Sequence, residues 1–374
     1  MNESKQAGMP STATSWLRAL DWQTVALVLG IKAMIFAFAW VSVRTLSDKE
    51  FGWFEMWNRW DAVHYRLLAQ SGYSAMGEER FSIVFYPLYP WLVRIASFVV
   101  RDYFAAALVV SGIASVAAGL LLQKLTRLDE SAATARQAVW FLLIFPTSYF
   151  LHIGYTESLF LALVIGSVLM ARMRRWDLAG LIGACACLTR VNGLILVPVL
   201  AVEALLQYRA ARRIDWRWLW MGVVPLGFAG YLALNYHVTG DAFTFSRIME
   251  EHWYKKFTPP WIGIRDVWRR IPDGDFTEGV HEFAWITLGC LCTVWCWLSL
   301  RPSYAVWMTC NWLLINSTSF VLSVPRYTLM LFPIFILFAR LSTKRPLAGL
   351  LLSACSLLFL GLFVGKYVSG TWAF

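Results

Sequence analysis

Charge is scarce in this chain. Asp, Glu, Lys and Arg together make up 15% of 374 residues, against about 25% in ordinary soluble domains. Hydrophobic residues make up 59%, and at a mean hydropathy of +0.56 no water-soluble core of this chain length could hide so much apolar surface. Also missing are the Gly-rich phosphate loop of nucleotide-binding proteins, the Gly-x-Ser-x-Gly nucleophile turn and the His-Glu-x-x-His zinc pattern. All seven cysteines (Cys185, Cys187, Cys290, Cys292, Cys296, Cys310 and Cys355) fall in apolar segments, which reads as buried free thiols rather than disulfides or zinc ligands. No metal or other cofactor is expected. No repeat of fixed period and no low-complexity tract is visible.

What is abundant is uninterrupted apolar sequence. Residues 25–43, 104–122, 218–236 and 347–364 are apolar over lengths of roughly 17 to 25 residues, enough to cross a hydrocarbon core of about 30 Å. Many of the 21 tryptophans sit beside the ends of such runs, as do Trp53, Trp57, Trp60, Trp91, Trp216, Trp218, Trp253, Trp261 and Trp372, where an amphipathic ring prefers headgroup level. A polar start at residues 1–15, with Lys32 inside the first span and no small-residue cleavage site behind it, reads as an uncleaved first helix. The expected class is an all-α polytopic integral membrane protein of about 10 to 11 transmembrane helices, some short and broken.

The net charge of +10 is concentrated in short loops at residues 124–136, 172–175, 209–217, Arg301 and 340–345. The positive-inside rule places these in the cytoplasm and removes the need for a nucleic-acid partner. Two longer polar stretches behave differently: residues 44–102 carry seven basic against seven acidic residues, and residues 237–282 six against eight. Both belong outside. The alternation then requires about eleven crossings, with outer turns at residues 152–157, 189–193 and 323–327. Residues 87–101 are expected to lie in the interface plane, because Arg94, Ser97 and Arg101 share one helical stripe. The chain reads as a single membrane domain over residues 1–374, with a first span at 22–43, a first outer loop at 44–102, a helical core at 103–236, a second outer loop at 237–282 and C-terminal helices at 283–368.

The densest polar constellation is Trp57-Asn58-Arg59-Trp60-Asp61-Ala62-Val63-His64-Tyr65. On a helix, Asp61, His64, Tyr65 and Leu68 share one face, and a carboxylate near an imidazole at a membrane surface suits proton acceptance from a hydroxyl. The structural alternative is an interfacial helix whose Asp61 pairs with Arg59 or Arg66. The second outer loop interleaves His237, Asp241, His252, Lys255 and Lys256 with Trp253, Tyr254 and Trp261, residues that suit a sugar or a headgroup or are simply solvated.

The run Trp60-Asp61-Ala62-Val63-His64-Tyr65, followed by Gly72-Tyr73 and Phe85-Tyr86-Pro87-Leu88-Tyr89-Pro90, resembles the GPI mannosyltransferase 2 family, the phosphatidylinositol-glycan class V type within the GT-C membrane glycosyltransferases. The resemblance continues at Tyr155-Thr156-Glu157-Ser158-Leu159-Phe160, at Thr189-Arg190-Val191-Asn192-Gly193-Leu194 and at Pro325-Arg326-Tyr327 with Phe332-Pro333. The chain is compact beside the eukaryotic enzymes, which points to a bacterial-type homologue in the cytoplasmic membrane. The resemblance implies an inverting transferase. It would move a sugar, mannose by preference, from a polyprenyl-phosphate donor to a lipid or glycan acceptor at the non-cytoplasmic face.

By that resemblance Asp61 is the candidate base, with His64 beside it. Arg190 and Arg326 are candidates for gripping the donor phosphate, since a guanidinium offers a bidentate fork and keeps its charge when partly buried. Asn192, Tyr327, Tyr155, Glu157, Trp60 and Tyr65 complete the expected substrate-binding set. The structural alternatives are an Arg190–Glu157 pair, Arg326 as an interfacial cap, and Glu157 as a helix-start carboxylate that orients Arg190. The competing function is a polytopic transporter or lipid flippase, which also uses broken helices and buried arginines but tends to show repeated halves, and none is seen here.

Overall fold

The computed structural model describes residues 20–46, 52–272 and 276–372; the polar start at residues 1–15 lies outside them. The described residues are helical, and their sole strand-like feature is an antiparallel bridge between Phe257 and Thr318. Six helical stretches are long and apolar enough to cross a membrane: Trp22–Thr45, Tyr103–Thr126, Val191–Ala211, Trp216–Thr239, Gly279–Ser299 and Pro346–Ser369. This is an integral, multi-pass membrane protein.

In chain order the α-helices begin with α1 (Trp22–Leu46), followed by α2 (Asp61–Ser71), α3 (Leu88–Val100), α4 (Tyr103–Thr126) and α5 (Ala132–Leu143). The middle third supplies α6 (Glu157–Arg172), α7 (Trp176–Cys187), α8 (Leu196–Ala211), α9 (Val224–Thr239), α10 (Thr244–Glu251) and α11 (Pro260–Arg270). The last third supplies α12 (Glu282–Ser299), α13 (Pro302–Asn316), α14 (Val324–Thr328), α15 (Pro333–Lys344) and α16 (Pro346–Ser369). Helices α5, α6, α7, α13 and α15 run 12 to 16 residues. They occupy the places where the alternation of basic loops calls for a crossing too short to be a regular span.

The reason for their shortness is chemical. Pro302, Pro333 and Pro346 start α13, α15 and α16, where a missing N–H costs nothing. Between α5 and α6 the chain passes through Pro146 and the 3-10 turn Ser148–Leu151. Such interruptions are tolerated at membrane depth only where protein surrounds them, and Thr147, His152, Thr156 and Glu157 are indeed fully buried.

The basic loops gather at one end of the molecule. Arg172 forks onto Asp129 at 2.5 and 2.7 Å, Arg301 forks onto Glu203 at 2.8 Å through both nitrogens, and Arg340 reaches Glu130 at 3.3 Å. The opposite end carries α2, α10, α11 and the α14 turn. Close approach between α7 and α9 depends on Gly227, where an added Cβ would lie 1.9 Å from the Ala184 carbonyl oxygen. All seven cysteines are free.

Two local expectations change. Arg94 of α3 turns inward, donating to the Ala69 carbonyl at 2.6 Å, so the outward face of that helix is the apolar one, with Phe98 and Val99 among its most exposed residues. Trp57 and Trp60 pack into the protein rather than facing outward. Trp57 is fully buried against Phe36 and Tyr367, and Trp60 packs edge-on against Tyr367 and Trp372, because α16 closes over the start of α2.

Candidate active site

Asp61 is the first residue of α2, and the chain enters that helix through an unusual bend: Trp60 has φ +49°, uncommon for a bulky side chain. The bend is held by its neighbours. Tyr155 donates its hydroxyl to the Arg59 carbonyl at 3.0 Å, Tyr367 donates to the Trp57 carbonyl at 3.1 Å, and the Arg59 guanidinium crosses to the Val368 carbonyl at 2.8 Å. Strain of this kind persists only where the surroundings over-determine it. Here it fixes where the Asp61 carboxylate points.

That carboxylate meets Arg326. Arg326 Nη1 donates to Asp61 Oδ2 at 2.6 Å, and Arg326 Nε donates to Glu157 Oε1 at 2.6 Å. The same Glu157 oxygen accepts from Arg190 Nη1 at 2.9 Å, and Arg190 Nη1 also donates to Thr156 Oγ1 at 3.0 Å. Asp61, Arg326, Glu157 and Arg190 thus form one chain of alternating charge, assembled from α2, α14, the start of α6 and the turn after α7. Two cations balance two anions, as a low-dielectric setting demands. The side chains of Glu157 and Arg326 are 0% and 6% exposed, while those of Arg190 and Asp61 are 14% and 23%. The cluster opens to its surroundings at Asp61 and Arg190.

Aromatic rings form the walls. The Arg326 guanidinium lies 4.6 Å from the Tyr155 ring centre and 5.0 Å from that of Phe150, contacts that favour a desolvated cation. Tyr327 carries two cations against its ring, Arg190 at 5.4 Å and Lys255 at 5.6 Å. Lys255 lowers the Tyr327 hydroxyl below its ordinary value. The segment bearing Lys255 is clipped to the chain before α14 by Lys256 N–H to Ser319 Oγ at 3.0 Å and Ser319 N–H to the Lys256 carbonyl at 2.9 Å.

Burial pushes the Asp61 carboxyl up, but Arg326, by its charge and its hydrogen bond, more than offsets this and holds the group below the usual aspartate value. Asp61 is therefore ionised at neutral pH. His64 shares the Asp61 face of α2, yet its Nδ1 pairs with Ser82 Oγ at 3.0 Å and its ring stacks on Phe85 at 4.8 Å. Burial holds the imidazole below the usual histidine value, against the upward pull of Asp61. Tyr65 is buried with its hydroxyl 3.5 Å from Thr156 Oγ1. Asn192 turns to α13, donating to Asn311 at 2.8 Å, and does not join the ion-paired chain.

Two contributors lay outside the expected set. Glu282, fully buried at the start of α12, accepts from the Ser323 N–H at 2.7 Å and the Val324 N–H at 2.8 Å, which fixes the turn that presents Arg326 and Tyr327. Tyr367, buried in α16, touches Trp57, Trp60, Tyr149 and Tyr155. Glu282 was visible as an acid opening an apolar run, the same pattern as Glu157. Tyr367 gave no signal within its apolar helix. Among the described residues no group of three or more His, Cys, Asp or Glu side chains is arranged to hold a metal ion.

ArnT of Cupriavidus metallidurans, solved bound to undecaprenyl phosphate, superposes on this chain with a TM-score of 0.55 at 16% identity, over 90% of this chain and 61% of that one. The fold is that of the GT-C membrane glycosyltransferases. The apo form of the same ArnT gives a TM-score of 0.51 at 16% identity, over 96% of this chain and 77% of its own. In sequence, 138 residues, 36% of the chain, are 30% identical to GPI mannosyltransferase 2 of Yarrowia lipolytica, covering 37% of that protein. The chain thus spans about three fifths of the ArnT bound to undecaprenyl phosphate, and the matched stretch little more than a third of the Yarrowia protein. No protein-family profile matches it. In this chain the four charged residues come from four segments far apart in sequence, joined where the short helices break.

Proposed function

We propose that this chain is a membrane glycosyltransferase that moves a sugar, mannose by its likeness to GPI mannosyltransferase 2, from a polyprenyl-phosphate donor to a lipid or glycan acceptor. Transfer inverts the anomeric centre and takes place at the non-cytoplasmic face, in a bacterial cytoplasmic membrane. One observation carries the reading: Asp61 Oδ2 is committed to Arg326, while Oδ1 has no hydrogen bond among the described residues. That leaves one oxygen of a fixed, ionised carboxylate to take a proton from an acceptor hydroxyl. The hydroxyl oxygen then attacks the anomeric carbon, the bond from that carbon to the phosphate oxygen breaks, and the lipid phosphate leaves with the electron pair. Arg190, the more exposed arginine, stabilises the charge growing on that oxygen. Arg326, with both arms of its fork engaged, holds Asp61 in place. The ArnT structure with undecaprenyl phosphate and the mannosyltransferase relative support this donor and sugar class, and the basic loops at the opposite end support the outward-facing site.

The test is the purified chain in lipid vesicles with a polyprenyl-phosphate mannose carrying a labelled sugar. The expected result is a new glycosidic bond, detected by mass spectrometry of the extracted lipids. Movement of the intact donor across the bilayer with no new bond would replace this reading with that of a flippase.

The pH profile follows from the site. A carboxyl held low keeps its charge until the pH falls below the ordinary aspartate value of about 3.9, and an imidazole held low stays neutral down past about 6.5. The kcat/KM profile should therefore be level between about pH 7.5 and 6.5, with any acid limb lying lower. The sign for stability is the same: the Asp61–Arg326 pair contributes above about pH 3.9 and is lost as pH falls through the lowered native value. A limb centred above about 6.5 would assign the proton transfer to another group.

Glu282→Ala should lower kcat by about 10- to 100-fold through misplacement of the α14 turn. Glu282→Asp should recover part of the loss, and donor KM should move less than kcat. Equal loss in both variants with a collapsed melting curve would make Glu282 a folding residue only.

A further inference from the structure

At the end of the molecule opposite Asp61 lies a basic pocket with no part in the proposed chemistry. It is an open cleft of about 440 Å³ lined by Arg174, Gln207, Arg213, Trp216, Arg217 and Trp218. Its distance from the active site follows from the helices: α7 separates Arg174 from Arg190, and α8 separates the 3-10 turn Val191–Ile195 from Ala211 at the pocket. Runs of 12 and 16 residues are about 18 and 24 Å long.

The charges of this cleft are not balanced. Asp215 is its one acid, already paired with Arg217 at 3.9 Å while capping the turn through the Arg217 N–H at 3.0 Å. Arg174 and Arg213 line the pocket exposed, and neither forms an ion pair among the described residues. Arg174 and the neighbouring Arg212 adopt φ of +60° and +53° at the ends of α6 and α8, positions where the backbone favours glycine. Beside the guanidiniums stand Ile214, Trp216 and Leu219, 68%, 77% and 72% exposed. A free anion gives such side chains nothing to bury against. A lipid does, because its acyl chains and interfacial zone cover them while the headgroup sits among the arginines.

We propose that this cleft binds the phosphate headgroup of an anionic phospholipid in the leaflet facing the basic loops, Arg174 and Arg213 supplying the charge-assisted hydrogen bonds and Trp216 the interfacial anchor. This binding is independent of glycosyl transfer. The full chain, purified in detergent, would be titrated with phosphatidylglycerol, phosphatidylcholine or inorganic phosphate, following the melting midpoint and lipid retention by native mass spectrometry. Phosphatidylglycerol should raise the midpoint and remain bound, and the other two should do neither. Arg174→Gln with Arg213→Gln, both exposed and free to fold, should weaken phosphatidylglycerol binding by about tenfold or more, a shift of one decade in the titration. Arg265→Gln, an exposed arginine on α11, should leave binding unchanged. An equal response to phosphatidylcholine, an unchanged titration in the double variant, or an equal loss in Arg265→Gln would overturn the site. An equal response to inorganic phosphate would make it a free-anion site and overturn the lipid assignment.

Discussion

Asp61→Asn is expected to yield a folded, membrane-inserted chain whose sugar transfer has fallen by about 10²- to 10⁴-fold, the range that a positioned general base contributes. The substitution is nearly isosteric, and the carboxamide oxygen can still accept from Arg326. The geometry at the head of α2 should therefore survive, since Tyr155, Tyr367 and Arg59 hold it through backbone carbonyls rather than through the Asp61 side chain. What is lost is a site for the acceptor proton. Loss should appear in kcat with donor KM little changed, because Arg190 and Tyr327 still face the phosphate in the proposed complex. A melting curve and gel-filtration profile matching the parent would confirm that folding is intact. Transfer within about threefold of the parent rate would remove Asp61 as the base.

The contrast with Arg326 is informative. Its guanidinium is almost fully buried between two carboxylates and two rings, so removing it both releases Asp61 and leaves Glu157 short of a partner. A loss of activity there could not be assigned to chemistry alone. Asp61, the most exposed of the four, is the member whose neutralisation should disturb the buried charge balance least.

Much of this arrangement was legible in the residues, and the reason is charge. Ionisable groups at membrane depth are rare and expensive, so the few that interrupt apolar sequence, Glu157 and Arg190 among them, stand out without any fold. The alternation of basic loops then fixes which turns share a face, and the structure brings Asp61, Glu157, Arg190 and Arg326 together. What pattern could not supply was who pairs with whom. Asp61 pairs across 265 positions with Arg326, not with Arg59 or Arg66 on its own segment, and helical spacing has no access to such a contact. His64 shares a face with Asp61, but the hydroxyl and ring that engage it belong to the segment before α3. The short helices were foreseeable from loop parity. Their boundaries depend on tertiary packing, as at Gly193, where a Cβ would lie 2.5 Å from the Cys187 backbone nitrogen.

Glu157 should be the costliest position for stability. Its carboxylate is wholly buried, and one oxygen serves both Arg190 and Arg326. Glu157→Ala leaves two guanidiniums sharing what Asp61 alone can neutralise, and removing one partner of a buried pair costs about 3–5 kcal/mol. Glu157→Gln keeps an acceptor of the same shape and should fall between the parent and alanine. The decisive comparison is the double variant Glu157→Gln with Arg190→Gln. It restores charge balance, since Arg326 keeps Asp61, so its melting midpoint should rise above that of Glu157→Gln alone. Donor binding should move the other way, because the double variant has lost the guanidinium assigned to the phosphate, and its KM for the polyprenyl-phosphate sugar should rise even as the fold recovers. Additive losses in stability would mean that Glu157 and Arg190 act separately and that the alternating chain is not one electrostatic unit. Recovery of stability with an unchanged donor KM would keep the unit and move the phosphate site away from Arg190.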